Sequence, residues 1–161
     1  MYGFNKNLHL KCSFNYFIPN FMSENAKSQF NYRIYYEHTD AGGVVYHARY
    51  LNFFERARTD WLRQRGIIQS QLQSELNIVY ALTTANIQFK KPALMDDAIT
   101  VSCQLHKIKN ASVEFTQEMH RDDGTLLATL YVKVACIDVE TFKVIAIPKQ
   151  LKQELLSEPR F

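Results

Sequence analysis

Cysteine is scarce in this chain, with three residues in 161, and no two of them form a CxxC pair. Cys12, Cys103 and Cys136 are too few and too scattered for a disulfide framework or a zinc site. The last two fall in strand-like runs, where a thiol is ordinarily an inert small core residue. A reducing, cytoplasmic setting is the natural expectation. Long apolar runs are missing too: no stretch approaches the ~18 residues of a transmembrane segment. Charge of one sign is equally sparse. The net charge is +3, and Lys6 and Lys11 supply two of those charges in a start that carries no acid. The remaining body is nearly neutral, so it offers no electrostatic footprint for nucleic acid. A local cationic patch facing an anionic ligand stays open. No repeat and no low-complexity linker interrupts the chain.

What is present fits one globular domain, with 47% apolar and 22% charged residues in a length that buries a sizeable core. Nine Tyr and eleven Phe suit a sheet-rich protein, because aromatic rings fill half-buried pleated surfaces. Residues 1–28 read as an N-terminal extension and 29–158 as the domain. The first 22 residues are aromatic but broken by Asn, Lys and Pro. They form a poor signal peptide and, lacking Arg, a poor mitochondrial presequence. Residues 1–21 are expected to come from an upstream start codon, with Met22 the working start, or to be a loosely held tail.

The element order follows from periodicity. Residues 31–37 alternate as a strand, and the glycine pair after Asp40 breaks the pattern. Tyr50, Leu51, Phe53, Phe54, Ala57, Trp61 and Leu62 recur at helical spacing, which predicts one long helix over 48–65. Gly66 fits its end, with Arg63 and Arg65 in the last turn. Strand patterns follow at 78–91, 98–108, 112–121 and 126–138, joined by Lys109-Asn110 and Asp123-Gly124 hairpin signals. A short strand at 142–147 and a small helix from Pro148 close the chain. A twisted antiparallel sheet wrapped around one long helix satisfies this α+β order and buries the helix's wide apolar face. That is the hotdog architecture, with other α+β sandwiches as rivals.

Chemistry concentrates in residues 35–61, YYEHTDAGGVVYHARYLNFFERARTDW. Asp40 stands just before Gly42 and Gly43, and the chain enters the helix within a few residues of His47. Helix starts carry unpaired N–H groups and partial positive charge, which suit the oxygen of a polarised carbonyl. A carboxylate beside such donors is an acyl-transfer arrangement, with Asp40 either the nucleophile or the general base on water. By itself an Asp before Gly-Gly is more often a turn residue. His38, Asp40 and His47 make at most three metal ligands, with no fourth evident, so no metal is expected. No cofactor is expected either.

The run TDAGGVVYHARYLNFFERARTDWL resembles the signature of YbgC-type acyl-CoA thioesterases, within the wider 4-hydroxybenzoyl-CoA thioesterase group. The likeness extends, more weakly, over about 30–155. It implies a hotdog fold, usually a homodimer and often a homotetramer with sites at subunit interfaces, and metal-free hydrolysis of short-chain, medium-chain or aromatic acyl-CoA. The Asp of the family's D-x-x-G segment matches Asp40. The helix-start N–H matches His47, and Tyr46 beside it lines the site. The family's link to the Tol–Pal system and to acyl carrier protein comes with the resemblance. His38 and Asp60 depart from the usual Asp and Glu, which touches substrate range. Phe89-Lys90-Lys91-Pro92 echoes a family strand end, and Lys90 and Lys91 are candidates to meet CoA phosphates. Glu55 is the reserve carboxylate, its plain reading a surface charge paired with Arg56 or Arg58. Arg56, Arg58, Arg63 and Arg65 read as a solvated or subunit-facing stripe, and Trp61 with Phe53 and Phe54 as core. Two other functions stand beside hydrolysis: a hotdog dehydratase or hydratase, whose Pro-containing motif is absent here, and a scaffold that docks acyl carrier protein or phospholipid-synthesis enzymes.

Overall fold

The protein is described by a computed structural model covering residues 27–160. All but the last two residues of the expected N-terminal extension lie outside the described residues.

Five strands form one antiparallel sheet. They are β1 (Ser28–Arg33), β2 (Ile78–Phe89), β3 (Ala98–Ile108), β4 (Ser112–Arg121) and β5 (Leu126–Asp138), in the spatial order β1-β3-β4-β5-β2. The first two strands in sequence therefore occupy opposite edges. The chain between them crosses the sheet as α1 (His47–Arg63) and α2 (Gln69–Leu76), and α3 (Lys149–Leu155) follows β5.

Alternation puts every second side chain of β3, β4 and β5 on the helix side. Val101 pairs with Met119, Leu105 with Phe115, and Phe115 with Val132, and all of these are buried. Onto that face α1 lays Tyr50, Phe53, Phe54, Ala57, Trp61 and Leu62. Trp61 meets Phe115 edge-on, with centroids 5.2 Å apart at 80°. Ala57 is fully buried, its small side chain letting the helix approach the sheet. Truncating Phe54 or Trp61 would remove about 3–5 kcal/mol of packing.

One polar residue interrupts the apolar face. Gln117 of β4 is buried, donates Nε2–H to the Phe54 carbonyl at 2.9 Å and accepts the Arg58 Nη1–H at 2.7 Å. The sheet thus grips α1 by its backbone as well as by its apolar stripe. Cys103 lies in the same core, and burial pushes its thiol up to about 12, which makes it unreactive.

Several expectations need correction. The first strand is Ser28–Arg33, three residues upstream of the expected 31–37, because Tyr36–His38 turns as a 3-10 helix. No strand forms over 142–147. Val144 makes one isolated bridge to Ile137, and Phe142 takes a positive φ of 55° and is exposed. Helix α2 was not anticipated; only Leu72 of its eight residues is buried, so it carries little apolar periodicity. The arginines do not form one solvated stripe. Arg65 is buried with its guanidinium 3.5 Å over the Trp61 ring, and part-buried Arg58 reaches Gln117; Arg56 and Arg63 fit the exposed reading, the first over the Phe53 ring and the second paired with Asp60.

Candidate active site

Asp40 opens a narrow turn that leads into α1. Thr39 and Val45 form an antiparallel bridge at its base. Asp40 N–H donates to the Val44 carbonyl, and Gly43 N–H donates to the Asp40 carbonyl, each at 3.0 Å. The Asp40 side chain caps the turn through Oδ1, which accepts the Gly42 N–H at 2.8 Å. Gly43 is needed for this geometry, and a side chain at Gly42 would crowd the Asp40 carboxylate. A Cβ at Gly42 would lie 3.1 Å from Asp40 Oδ1, and Gly43 takes φ +75°. The plain turn role of Asp40 is therefore real, but it uses one carboxylate oxygen of an exposed residue.

The turn is tied to its surroundings on both sides. Val45 N–H donates to the Ala93 carbonyl at 2.8 Å, and Tyr46 N–H to the His38 carbonyl at 2.9 Å. Val44 bridges Leu94. His38 is buried, packs edge-on against Phe53, and accepts the Tyr35 N–H on Nδ1 at 2.8 Å. Burial lowers its pKa below the usual histidine value, Arg56 and Arg49 act the same way, and Glu37 opposes them.

Helix α1 begins at His47, with Tyr46 at its N-cap. No side chain caps this end, and its first turn holds no acid. The Arg49 N–H donates to the Tyr46 carbonyl at 2.8 Å, so the leading N–H groups without an intrahelical partner are those of His47 and Ala48. The Tyr46 and His47 rings lie 4.2 Å apart, and both residues are exposed.

A surface pocket of about 330 Å³ opens at this helix start, lined by Val45, His47, Tyr50, Phe89, Lys90, Lys91 and Pro92. The structure thus brings His47 together with both expected lysines, although more than forty residues separate them. The lysines are held by the sheet: Lys90 and Lys91 N–H both donate to the Leu127 carbonyl, at 2.8 and 3.2 Å. That carbonyl is available because the pairing of β4 and β5 shifts at this point. Tyr50, which the sequence marked only as core, fixes the next residues, its hydroxyl accepting the Ala93 N–H at 2.9 Å.

Glu55 stands apart from this pocket. It lines a second cavity of about 310 Å³ between α1 and the sheet, with Leu51, Thr59, Tyr80 and Leu82 among its walls. Thr59 donates to Glu55 Oε1 at 2.6 Å and accepts from Gln69 Nε2 at 2.7 Å. Its hydrogen-bond partner is thus Thr59 rather than Arg56 or Arg58; Arg56 lies over the Phe53 ring and Arg58 on Gln117. Tyr80 and Leu82 escaped the sequence reading, since nothing in an apolar strand pattern separates cavity wall from core. Among the described residues, no group of three His, Cys, Asp or Glu is arranged to hold a metal ion.

One antiparallel sheet packed on a long central helix is the hotdog architecture. The chain belongs to the thioesterase-like superfamily, whose family profile matches residues 36–155. It is 43% identical over 123 residues to an acyl-CoA thioesterase YbgC of Haemophilus influenzae, covering 76% of this chain and 90% of that one. An acyl-CoA thioester hydrolase YbgC of Escherichia coli O157:H7 is 38% identical over 122 residues, with 76% and 90% covered. The crystal structure of a probable thioesterase from Bartonella henselae superposes with a TM-score of 0.72 at 32% identity, covering 76% of this chain and all of that one.

Proposed function

We propose that this protein hydrolyses acyl-CoA thioesters to a free acid and CoA, using Asp40 and the N-terminus of α1. The observation that carries the reading is the uncapped, acid-free start of α1 at His47, directly after the turn that presents Asp40. The thioester carbonyl oxygen accepts the His47 backbone N–H, and the helix-end field stabilises the negative charge that grows there. Asp40 takes a proton from water as the water oxygen bonds to the carbonyl carbon. The tetrahedral oxyanion then collapses, the C–S bond breaks, and the thiolate of CoA leaves and takes up a proton. Direct attack by Asp40, through a mixed anhydride that water opens, is the second route the same geometry allows. Relatives named as acyl-CoA thioesterases support the reaction class. Gly42 and Gly43 shape the approach to Asp40, and Tyr46 flanks the reacting carbonyl.

Lys90 and Lys91 give the otherwise near-neutral domain a local cationic ledge beside His47, fitted to the phosphates of CoA. The exposed edge strand β2, with Leu82 and Phe89 half exposed, and the exposed Leu51 of α1 support a homodimer or homotetramer. Acyl carrier protein as a second acyl donor, a Tol–Pal connection and a cytoplasmic location belong to the same reading. Among the described residues no helix is long and apolar enough to cross a membrane.

Thiol release from a panel of acyl-CoAs tests the proposal. Wild type turns over, and Asp40→Asn, which keeps shape and loses charge, falls by about 10²–10⁴ in kcat. Full activity in Asp40→Asn together with loss in Glu55→Gln would move the catalytic carboxylate to the helix. No turnover on any acyl-CoA or acyl carrier protein would favour the scaffold.

A further inference from the structure

We propose that the loop 92–97 is a spacer of fixed length between the helix start that takes the thioester carbonyl and the lysine ledge that takes the CoA phosphates, and that Tyr50 and Arg121 are the positioning residues that hold it. The inference rests on the acyl-CoA hydrolase reading above, with Lys90 and Lys91 as the phosphate contacts.

Where the loop lies supplies the first argument. It begins at Pro92, directly after Lys91, and ends at Asp97, just before β3. On the way its backbone meets the Asp40 turn at two successive residues. The Ala93 carbonyl accepts the Val45 N–H at 2.8 Å, and Leu94 bridges Val44. One short segment therefore connects the lysines to the turn and, through it, to the start of α1.

How the loop is held supplies the second. Connections of this kind are ordinarily the mobile parts of a surface. This one is tied from α1, β4 and β1. The buried Tyr50 of α1 accepts the Ala93 N–H on its hydroxyl at 2.9 Å, and Ala93 is fully buried. Arg121, the last residue of β4, spans the loop from end to end. Its Nη2–H donates to the Pro92 carbonyl and its Nε–H to Asp97 Oδ2, each at 2.9 Å. The same Asp97 oxygen accepts the Leu94 N–H at 2.8 Å. Arg33, at the end of β1, donates Nη1–H to the Asp96 carbonyl at 2.8 Å. Between these ties Asp96 takes a φ of 66°, an uncommon conformation for a residue with a side chain.

What the loop offers chemically supplies the third. Of its residues only Pro92 lines the pocket that holds His47, Lys90 and Lys91. The loop brings no reacting group, yet its backbone is fixed along its length, so what it sets is distance. The lysines are already fastened to the sheet at the Leu127 carbonyl, which leaves the loop to fix how far the Asp40 turn and the helix start stand from them. A substrate anchored by its phosphates delivers its carbonyl to the His47 N–H at one spacing. With that spacing rigid, binding far from the carbonyl lowers the barrier at the carbonyl. With the loop loosened the phosphates still bind while the carbonyl is misplaced, so kcat falls and KM holds.

The test is kcat and KM by thiol release on one acyl group, the best of the panel above, carried on CoA and on N-acetylcysteamine. The second thiol keeps the thioester and lacks the nucleotide and its phosphates. The assay uses the full chain, Tyr50→Phe, Arg121→Gln, Arg121→Lys and the double variant Lys90→Ala/Lys91→Ala, each checked for folding by thermal unfolding. Tyr50→Phe and Arg121→Gln should lose about tenfold in kcat on the CoA thioester with KM within about twofold, and less than about twofold on the truncated thioester. The lysine double variant should lose most of the wild-type preference for the CoA thioester, and adding Tyr50→Phe to it should cost nothing further. Arg121→Lys reaches one acceptor but not both, and should fall between wild type and Arg121→Gln. Should Arg121→Gln fail to fold, Tyr50→Phe, which removes a single oxygen, decides. Equal losses on the two thioesters, or none in folded variants, would mean that the loop only supports the fold, and would overturn the spacer. A wild type indifferent to the CoA portion, with the lysine variant silent, overturns the phosphate ledge and this inference with it, while hydrolysis stands. Absence of hydrolysis on either thioester overturns the underlying activity as well.

Discussion

His38 holds its proton on Nε2, because Nδ1 accepts the Tyr35 N–H. Protonating Nδ1 would cost that hydrogen bond and place a charge in a buried site beside Phe53. The folded state therefore favours the neutral ring, and burial sets its pKa below the ordinary 6.5. The sign follows: His38 contributes stability that is fully present above about pH 6.5 and is lost as the pH falls through its lowered folded value. Thermal midpoints between pH 7.5 and 5 should fall more steeply for wild type than for His38→Asn; equal slopes would remove His38 from the pH response. The turn it supports is just as local. Gly43→Ala forces a side chain into positive φ and should destabilise by about 1 kcal/mol. Because the strain falls on the segment that presents Asp40, kcat should drop with the melting temperature. The turn at Asp40 was legible from the glycine pair that follows it. His38 was visible only as a departure from the pattern, because burial on Phe53 is a tertiary contact.

At the scale of elements, α1 is fixed twice. Its apolar face docks on β3 and β4, and Gln117 ties its backbone and Arg58 to β4. Shape alone would let a helix slide along a greasy sheet, whereas a hydrogen bond to one carbonyl sets its axial position. Gln117→Leu leaves the part-buried Arg58 guanidinium without this acceptor and should cost about 2–3 kcal/mol. Adding Arg58→Leu should recover about half of the loss, and chemical denaturation of the four-member cycle measures that coupling. Additive effects would mean the bridge contributes nothing. Strands β3, β4 and β5 were legible to the residue because each turns an apolar face to the helix and a more polar, partly covered face away from it, which writes a period of two into the sequence. Helix α2 was not, since it buries one leucine, and residues 142–147 looked like a strand while making a single bridge.

At the scale of the whole molecule, the edge strand β2 is the exception to the buried pattern. Its middle residues are exposed, and Leu82 and Phe89 keep half their surface open. A second copy paired along this edge would cover them and bring two sites together. Sedimentation velocity should then show a dimer or larger species, and specific activity should fall on dilution below its dissociation; a fully active monomer would refute the assembly. The sequence by itself determined the α+β order, the long central helix, the hairpin joints and the Asp40 segment. Each is a local pattern, set by side-chain periodicity or by glycine next to a carboxylate. Only the tertiary structure decided that Lys90 and Lys91 meet His47, that Gln117 holds α1, that Arg65 is buried on Trp61, and that Tyr80 and Glu55 share a cavity. Those contacts depend on how a twisted sheet curls around the helix, and that curl brings together residues whose separation along the chain carries no local signal.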